Sequence, residues 1–205
     1  MGQLFVIPSR FCSIAAILRR GPKNWYHLIK WETRHDQFTH GAWIKGRIYP
    51  QQCDLSPDGQ LLVYAIAKFD ARDTGFGHVW VAVSRFPWLE ALTVWPLTST
   101  HAIETRTGRC KFTAPTTLWG VSAKGTHPDY PVGRLRIASA PPEPHVAETT
   151  VPEADWSGID RAGKVIFSKG DLLYRRDNDE DVLVADFSNL TPDSQPAPEW
   201  AGKPI

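Results

Sequence analysis

The chain has one methionine and only three cysteines in 205 residues. Cys12, Cys53 and Cys110 are odd in number and widely spaced, and no two form a C-x-x-C pair. That excludes a zinc ribbon, a thioredoxin-like redox pair and a closed disulfide framework. Unpaired thiols fit a reducing compartment, so the expectation is a cytoplasmic protein. Long apolar runs are missing too. The longest, Leu61–Ala67, has seven residues, whereas a membrane-crossing helix needs roughly 20. The first residues carry no cationic n-region, and Pro8 and Arg10 break their apolar run, so no signal peptide is expected. Gly2 is followed by Val6 where a myristoylation motif has Ser or Thr.

The phosphate-binding loops G-x-G-x-x-G and G-x-x-x-x-G-K-[ST] do not occur, and neither does the G-x-S-x-G nucleophile elbow. Phe76 lies between Gly75 and Gly77, but the flanking residues do not suit a dinucleotide turn. No cofactor is expected. Net charge is scarce as well: 23 Lys+Arg against 22 Asp+Glu leave +1. The total conceals a gradient. Residues 1–50 hold 8 basic and 2 acidic side chains, residues 51–140 hold 9 and 7, and residues 141–205 hold 6 and 13. The chain is basic first and acidic last.

Aromatic and turn-forming residues are abundant: nine Trp, nine Phe, five Tyr, 17 Pro and 15 Gly. Aromatics suit pleated, half-buried surfaces, and frequent Gly and Pro break the chain into short pieces. Both features predict a mostly β protein with many short strands. The clearest unit begins at Ser56-Pro57-Asp58-Gly59, where Pro57 presets φ, Asp58 caps the backbone and Gly59 accepts positive φ. Strands are expected at Leu61–Ala67, His78–Ser84 and Leu92–Trp95. A second unit aligns when Gly163 is set on Gly59, an offset of 104 residues. Its strands are Asp155–Asp160, Lys164–Ser168, Leu172–Arg176 and Asp181–Phe187. A degenerate unit is expected between the two, with strands at Thr117–Trp119 and Arg134–Ala138.

The Ser56–Gly59 turn with its following strands, and the stretch Asp155–Phe187, resemble β-propeller blades of the TolB-like or WD-repeat-like kind. The chain is also similar to bacterial proteins of unassigned function that carry such a segment. This resemblance implies four-stranded antiparallel sheets in an irregular, partial or small propeller-like array. It also implies one β-rich domain over residues 1–205. Within it, 1–50 is an atypical basic part, 51–98 blade-like, 99–150 a degenerate blade, 151–188 blade-like and 189–205 an extended Pro-rich tail. Leu4–Ile7, Ile14–Leu18 and Trp25–Trp31 read as strands, though Lys23–Trp31 also accommodates a short helix. Trp200 is expected to plug a surface groove, and Ala140–His145 to act as a spacer.

Three function classes stay open. The first is a non-enzymatic protein–protein interaction module, a subunit or accessory protein of a bacterial assembly, because so few blades leave edges for a partner or a second copy. Its candidate contacts are Arg19, Arg20, Lys23, Trp25, Trp43, Arg47, Arg85 and Trp88, since Trp and Arg dominate interfaces. The second is nucleic-acid binding through the first third, where cations alternate with aromatic rings. The third is an enzyme using His35, Asp36, His40 or His127, although their spacing matches no known metal or triad motif. Asp177–Asp181 lacks the Gly and Glu of a calcium loop and reads as a hairpin tip.

Overall fold

The computed structural model describes residues 2–68, 77–100, 110–141 and 149–205. Residues 69–76 of the Gly/Asp-rich loop, Phe76 included, and residues 142–145 of the spacer lie outside the described residues. The chain is mostly β, with short 3-10 turns at Pro22–Asn24, Pro50–Gln52, Ala123–Gly125 and Glu199–Gly202. None of the described helices is long and apolar enough to cross a membrane.

The strands form four sheets that follow chain order. Sheet I contains β1 (Gln3–Pro8), β2 (Ile14–Arg20), β3 (Trp25–Glu32) and β4 (Gln37–Lys45), each antiparallel to the next. Sheet II contains β5 (Arg47–Ile48), β6 (Asp54–Leu55), β7 (Leu61–Ala67), β8 (Val79–Arg85) and β9 (Ala91–Pro96), with β5 and β6 both on β7. Sheet III contains β10 (Lys111–Ala114), β11 (Thr117–Trp119) and β12 (Arg136–Ile137), the last pair parallel. Sheet IV contains β13 (Trp156–Ile159), β14 (Val165–Lys169), β15 (Leu172–Asp177) and β16 (Glu180–Asp186). The β15–β16 hairpin turns at Asn178 and Asp179, both at positive φ, as a two-residue loop of this kind requires.

The helical alternative over Lys23–Trp31 is not adopted. Pro22–Asn24 is a single 3-10 turn, and β3 follows it. Residues alternate across β3, with Leu28 and Tyr26 packed on sheet II and Ile29 and Trp31 on sheet IV. Both faces need apolar residues, so the run loses the alternation of a half-exposed strand. The segment that looked least blade-like thus builds a complete four-stranded meander.

The same double burial explains β7, every residue of which is buried. Leu62 and Tyr64 join the cluster shared with sheet I, whereas Leu61 and Val63 join Phe112 and Leu118 of sheet III. On the other side, Ile17, Ile29 and Trp31 of sheet I meet Ile166 and Leu173 of sheet IV. The sheets therefore pack in the order IV, I, II, III. Among the described residues no apolar cluster joins III to IV. The architecture is an irregular, partial array of antiparallel-dominated sheets.

Related turns close the first hairpin in three of the four sheets, with four intervening residues at Ser9 and at Ser56 and three at Asp160. The Ser9 N–H donates to Ile14 O, Ser56 N–H to Leu61 O and Asp160 N–H to Lys164 O, each at 2.8 Å. Ser56 Oγ accepts from the Gln60 and Leu61 amides, and Asp160 Oδ1 accepts from the Ala162 and Lys164 amides. Gly59 and Gly163, set equivalent by the 104-residue offset, both lie at positive φ, +72° and +80°.

Because sheet I packs on sheet IV, the basic and acidic ends of the chain are neighbours. Arg19 meets Asp171 at 2.7 Å, in the sense of the charge gradient. The second tie runs against it: Arg175 of sheet IV clamps Asp36 of sheet I with two 2.8 Å bonds. After β16 the tail leaves sheet IV through Leu190, which packs on the I/IV cluster. It ends on sheet II, where Arg85 donates to the carbonyls of Lys203 and Pro204 at 3.1 and 2.8 Å. Trp200 does not plug a groove. It is 47% exposed, and its neighbour Ala201, within the turn Glu199–Gly202, takes the buried place.

Candidate functional site

The site originates in one extra residue in β4. His27 pairs with Trp43 and Ile29 with His40, so Gly41 and Ala42 together span the interval that Leu28 fills alone on β3. Residues three apart in a regular strand point to opposite faces. The bulge places His40 and Trp43 on the same face, beside His27. This is the face turned toward sheet IV, as the register Arg19 to His27 and Ile17 to Ile29 shows.

Rings stack on this face. His27 lies 4.1 Å from Trp43 at 9° and 5.2 Å from His40 at 6° between ring planes. His27 Nδ1 is 3.2 Å from the Ala42 carbonyl, and His27 Nε2 is 2.9 Å from His40 Nδ1. A carbonyl only accepts, so Nδ1 carries the hydrogen of a neutral His27. Its Nε2 then accepts from the Nδ1–H of His40. This assignment leaves His40 Nε2 a bare acceptor with no partner among the described residues. Burial pushes His27 down to about 4; the Ala42 bond opposes this, and His40 and Arg19 reinforce it. Burial lowers His40 as well. Both imidazoles are neutral at pH 7.

Arg19 is 3% exposed beside His27, held by Asp171 and by the Leu190 carbonyl at 3.3 Å. It fixes the start of the tail rather than reaching outward. The opposite rim comes from the β8–β9 connection. Gly41 leaves room for the Pro87 carbonyl, which accepts from the Ala42 amide at 3.0 Å, and a Cβ at position 41 would collide with it. Phe86 is buried in the core between sheets I and II, and Trp88 is left half-buried at the rim. The tail supplies the third wall with Asn189, Leu190, Thr191, Asp193 and Gln195. Between these walls lies an open cavity of about 330 Å³, also lined by His27, His40, Gly41, Trp43 and Trp88.

Of the eight contact residues expected from sequence, the structure brings Trp43 and Trp88 together at this cavity. Trp25 stands edge-on to Trp43, with centroids 6.5 Å apart. Arg20 and Lys23 are exposed, and Arg47 lies 4.8 Å over the Tyr49 ring. Arg85 ties down the tail. The cationic, aromatic surface foreseen for nucleic acid loses Arg19 to Asp171, and Arg10 pairs with Asp54 at 3.4 Å.

Comparison of the chain with protein-family profiles, with curated proteins and with solved structures finds no match. The geometry of the site therefore stands alone as the basis for function. The His35–His40 loop does not converge. His35 bonds Glu32 at 2.8 Å, Asp36 holds Trp31 Nε1 and Arg175, and His40 turns to His27. His127 and Asp129 sit 3.9 Å apart, outside the cavity lining. No group of three His, Cys, Asp or Glu among the described residues could hold a metal ion.

Sequence reasoning missed His27, Asp193 and Gln195. His27 is one polar residue in an apolar run, and the two tail residues approach only through the fold. The one legible signal was Gly41, a glycine inside a strand pattern, which marks a bulge or a close backbone approach. Here it marks both.

Proposed function

We propose that the chain is a non-enzymatic protein–protein interaction module whose partner docks at the Trp43–Trp88 cavity. We read its sheets as small blades of the TolB-like or WD-repeat-like kind, a reading supported by the related hairpin turns at Ser9, Ser56 and Asp160. The observation that carries the proposal is the β4 bulge. It costs a regular ladder, and in return it aims His40 and Trp43 at a cleft that Trp88 and the tail complete. Half-exposed Trp rings lining a concavity with polar neighbours are the anchors that interfaces use. The imidazoles in the cleft bond each other, which supports a binding role over general acid–base work.

The test is affinity capture from native cells with the unaltered chain, a Trp43→Ala/Trp88→Ala chain and a Phe11→Ala control. Phe11 is 68% exposed and away from the cleft. A partner retained by the unaltered and Phe11→Ala chains and lost by the double variant is the expected outcome. Equal capture by all three overturns the proposal.

A further inference from the structure

Resting on that reading, we infer that the cavity takes a guanidinium, the side chain of an arginine presented by the partner protein. The lining contains no Lys or Arg. Its imidazoles are neutral in the tautomers fixed above, so the Asp193 carboxylate carries the one formal charge among the lining residues. Arg19, the nearest buried cation, is balanced by Asp171. The cavity is therefore electronegative.

The acceptors suit a planar fork. His40 Nε2 belongs to β4 and the Asp193 carboxylate to the tail, so donors spread over one flat group can address both walls. Indole rings attract cations through their faces, and guanidinium also stacks on them. His27 already covers one face of Trp43, which holds that ring in place.

The same face of sheet I already receives one guanidinium. Four residues along β3 from His27, on the same face, Arg175 lies 5.4 Å over the Trp31 ring and forks onto the Asp36 carboxylate. The indole, carboxylate and guanidinium found there have two of their three parts repeated at the cavity, in Trp43 and Asp193. The missing part is the cation.

Nuclear magnetic resonance titration of the full chain tests the inference, reading the indole N–H signals of Trp43 and Trp88. Free probes are N-acetyl-arginine amide, the lysine and norleucine analogues, and choline. Saturable shifts of both signals with arginine amide are expected at a dissociation constant on the order of 1–10 mM, as suits so small a ligand. Lysine amide should bind more weakly and norleucine amide not at all. Asp193 is exposed, so Asp193→Asn leaves the fold intact and should weaken arginine amide about two- to fivefold. Norleucine amide matching arginine amide, choline exceeding it, Asp193→Asn leaving affinity unchanged, or no shift by about 50 mM would each overturn the assignment. If arginine amide fails while the tryptophan double variant still loses its partner, the guanidinium falls and the interaction reading stands.

Discussion

Two buried polar residues, His27 and Arg19, hold the cavity, and each makes a measurable claim. His27 titrates lower in the folded chain than in the unfolded one, about 4 against 6.5. Its contribution to stability is therefore fully present above pH 6.5 and is lost as pH falls from 6.5 toward 4. About 1–2 kcal/mol should disappear between pH 7 and pH 5, seen as a falling urea midpoint. His27→Asn keeps a donor for the Ala42 carbonyl and cannot protonate, so its profile across that window should be flatter. Arg19 differs because its charge is permanent. Arg19→Ala leaves the Asp171 carboxylate, 12% exposed, without its cation and should cost about 3 kcal/mol of unfolding free energy. A loss under 1 kcal/mol would mean that Asp171 finds water instead. Cys53, buried and pushed up to about 12, should resist thiol reagents until the chain unfolds.

At the scale of elements, turn chemistry was legible and strand context was not. Ser56-Pro57-Asp58-Gly59 announces its turn because each residue meets a backbone need locally. The equivalent at Asp160 is legible through Gly163. The third copy at Ser9 was hidden, because Arg10-Phe11-Cys12 carries neither Gly nor Pro although Ser9 makes the same bond. β5 and β6, two residues each, are too short for a periodic signal. The bulge in β4 is set by its partner strand and by Pro87, and neither is local. The two aligned glycines allow a clean comparison. Gly163→Ala meets nothing within 4 Å and should cost only the positive-φ penalty, about 1 kcal/mol. At Gly59 a Cβ would lie 2.9 Å from Ile14 Cβ and 3.0 Å from Cys12 Sγ. Gly59→Ala should therefore cost about 2–3 kcal/mol in the same denaturation assay. Equal costs would show that the two turns are not packed as described.

At the scale of the whole molecule, the mostly β class followed from composition, and the order IV, I, II, III did not. Nothing local tells a strand which sheets will cover its two faces, and that double covering made β3 ambiguous and β7 a continuous apolar run. The chain is basic first and acidic last, and these ends meet in the fold, yet of the two ion pairs joining sheets I and IV among the described residues, Arg175 to Asp36 reverses the gradient. Meeting of the ends is also what makes the cavity. Sheet I, the β8–β9 connection and the tail contribute residues 27 to 43, 88 and 189 to 195, segments far apart in the chain. This composite cleft is the proposed docking place of the partner. A photo-crosslinking residue placed at position 88 in native cells, beside a control at position 11, tests it most directly. One protein adduct is expected from position 88, none from position 11, and the adduct should be lost when Trp43→Ala is added. Adducts from position 11 alone, or adducts from position 88 that survive Trp43→Ala, would contradict it.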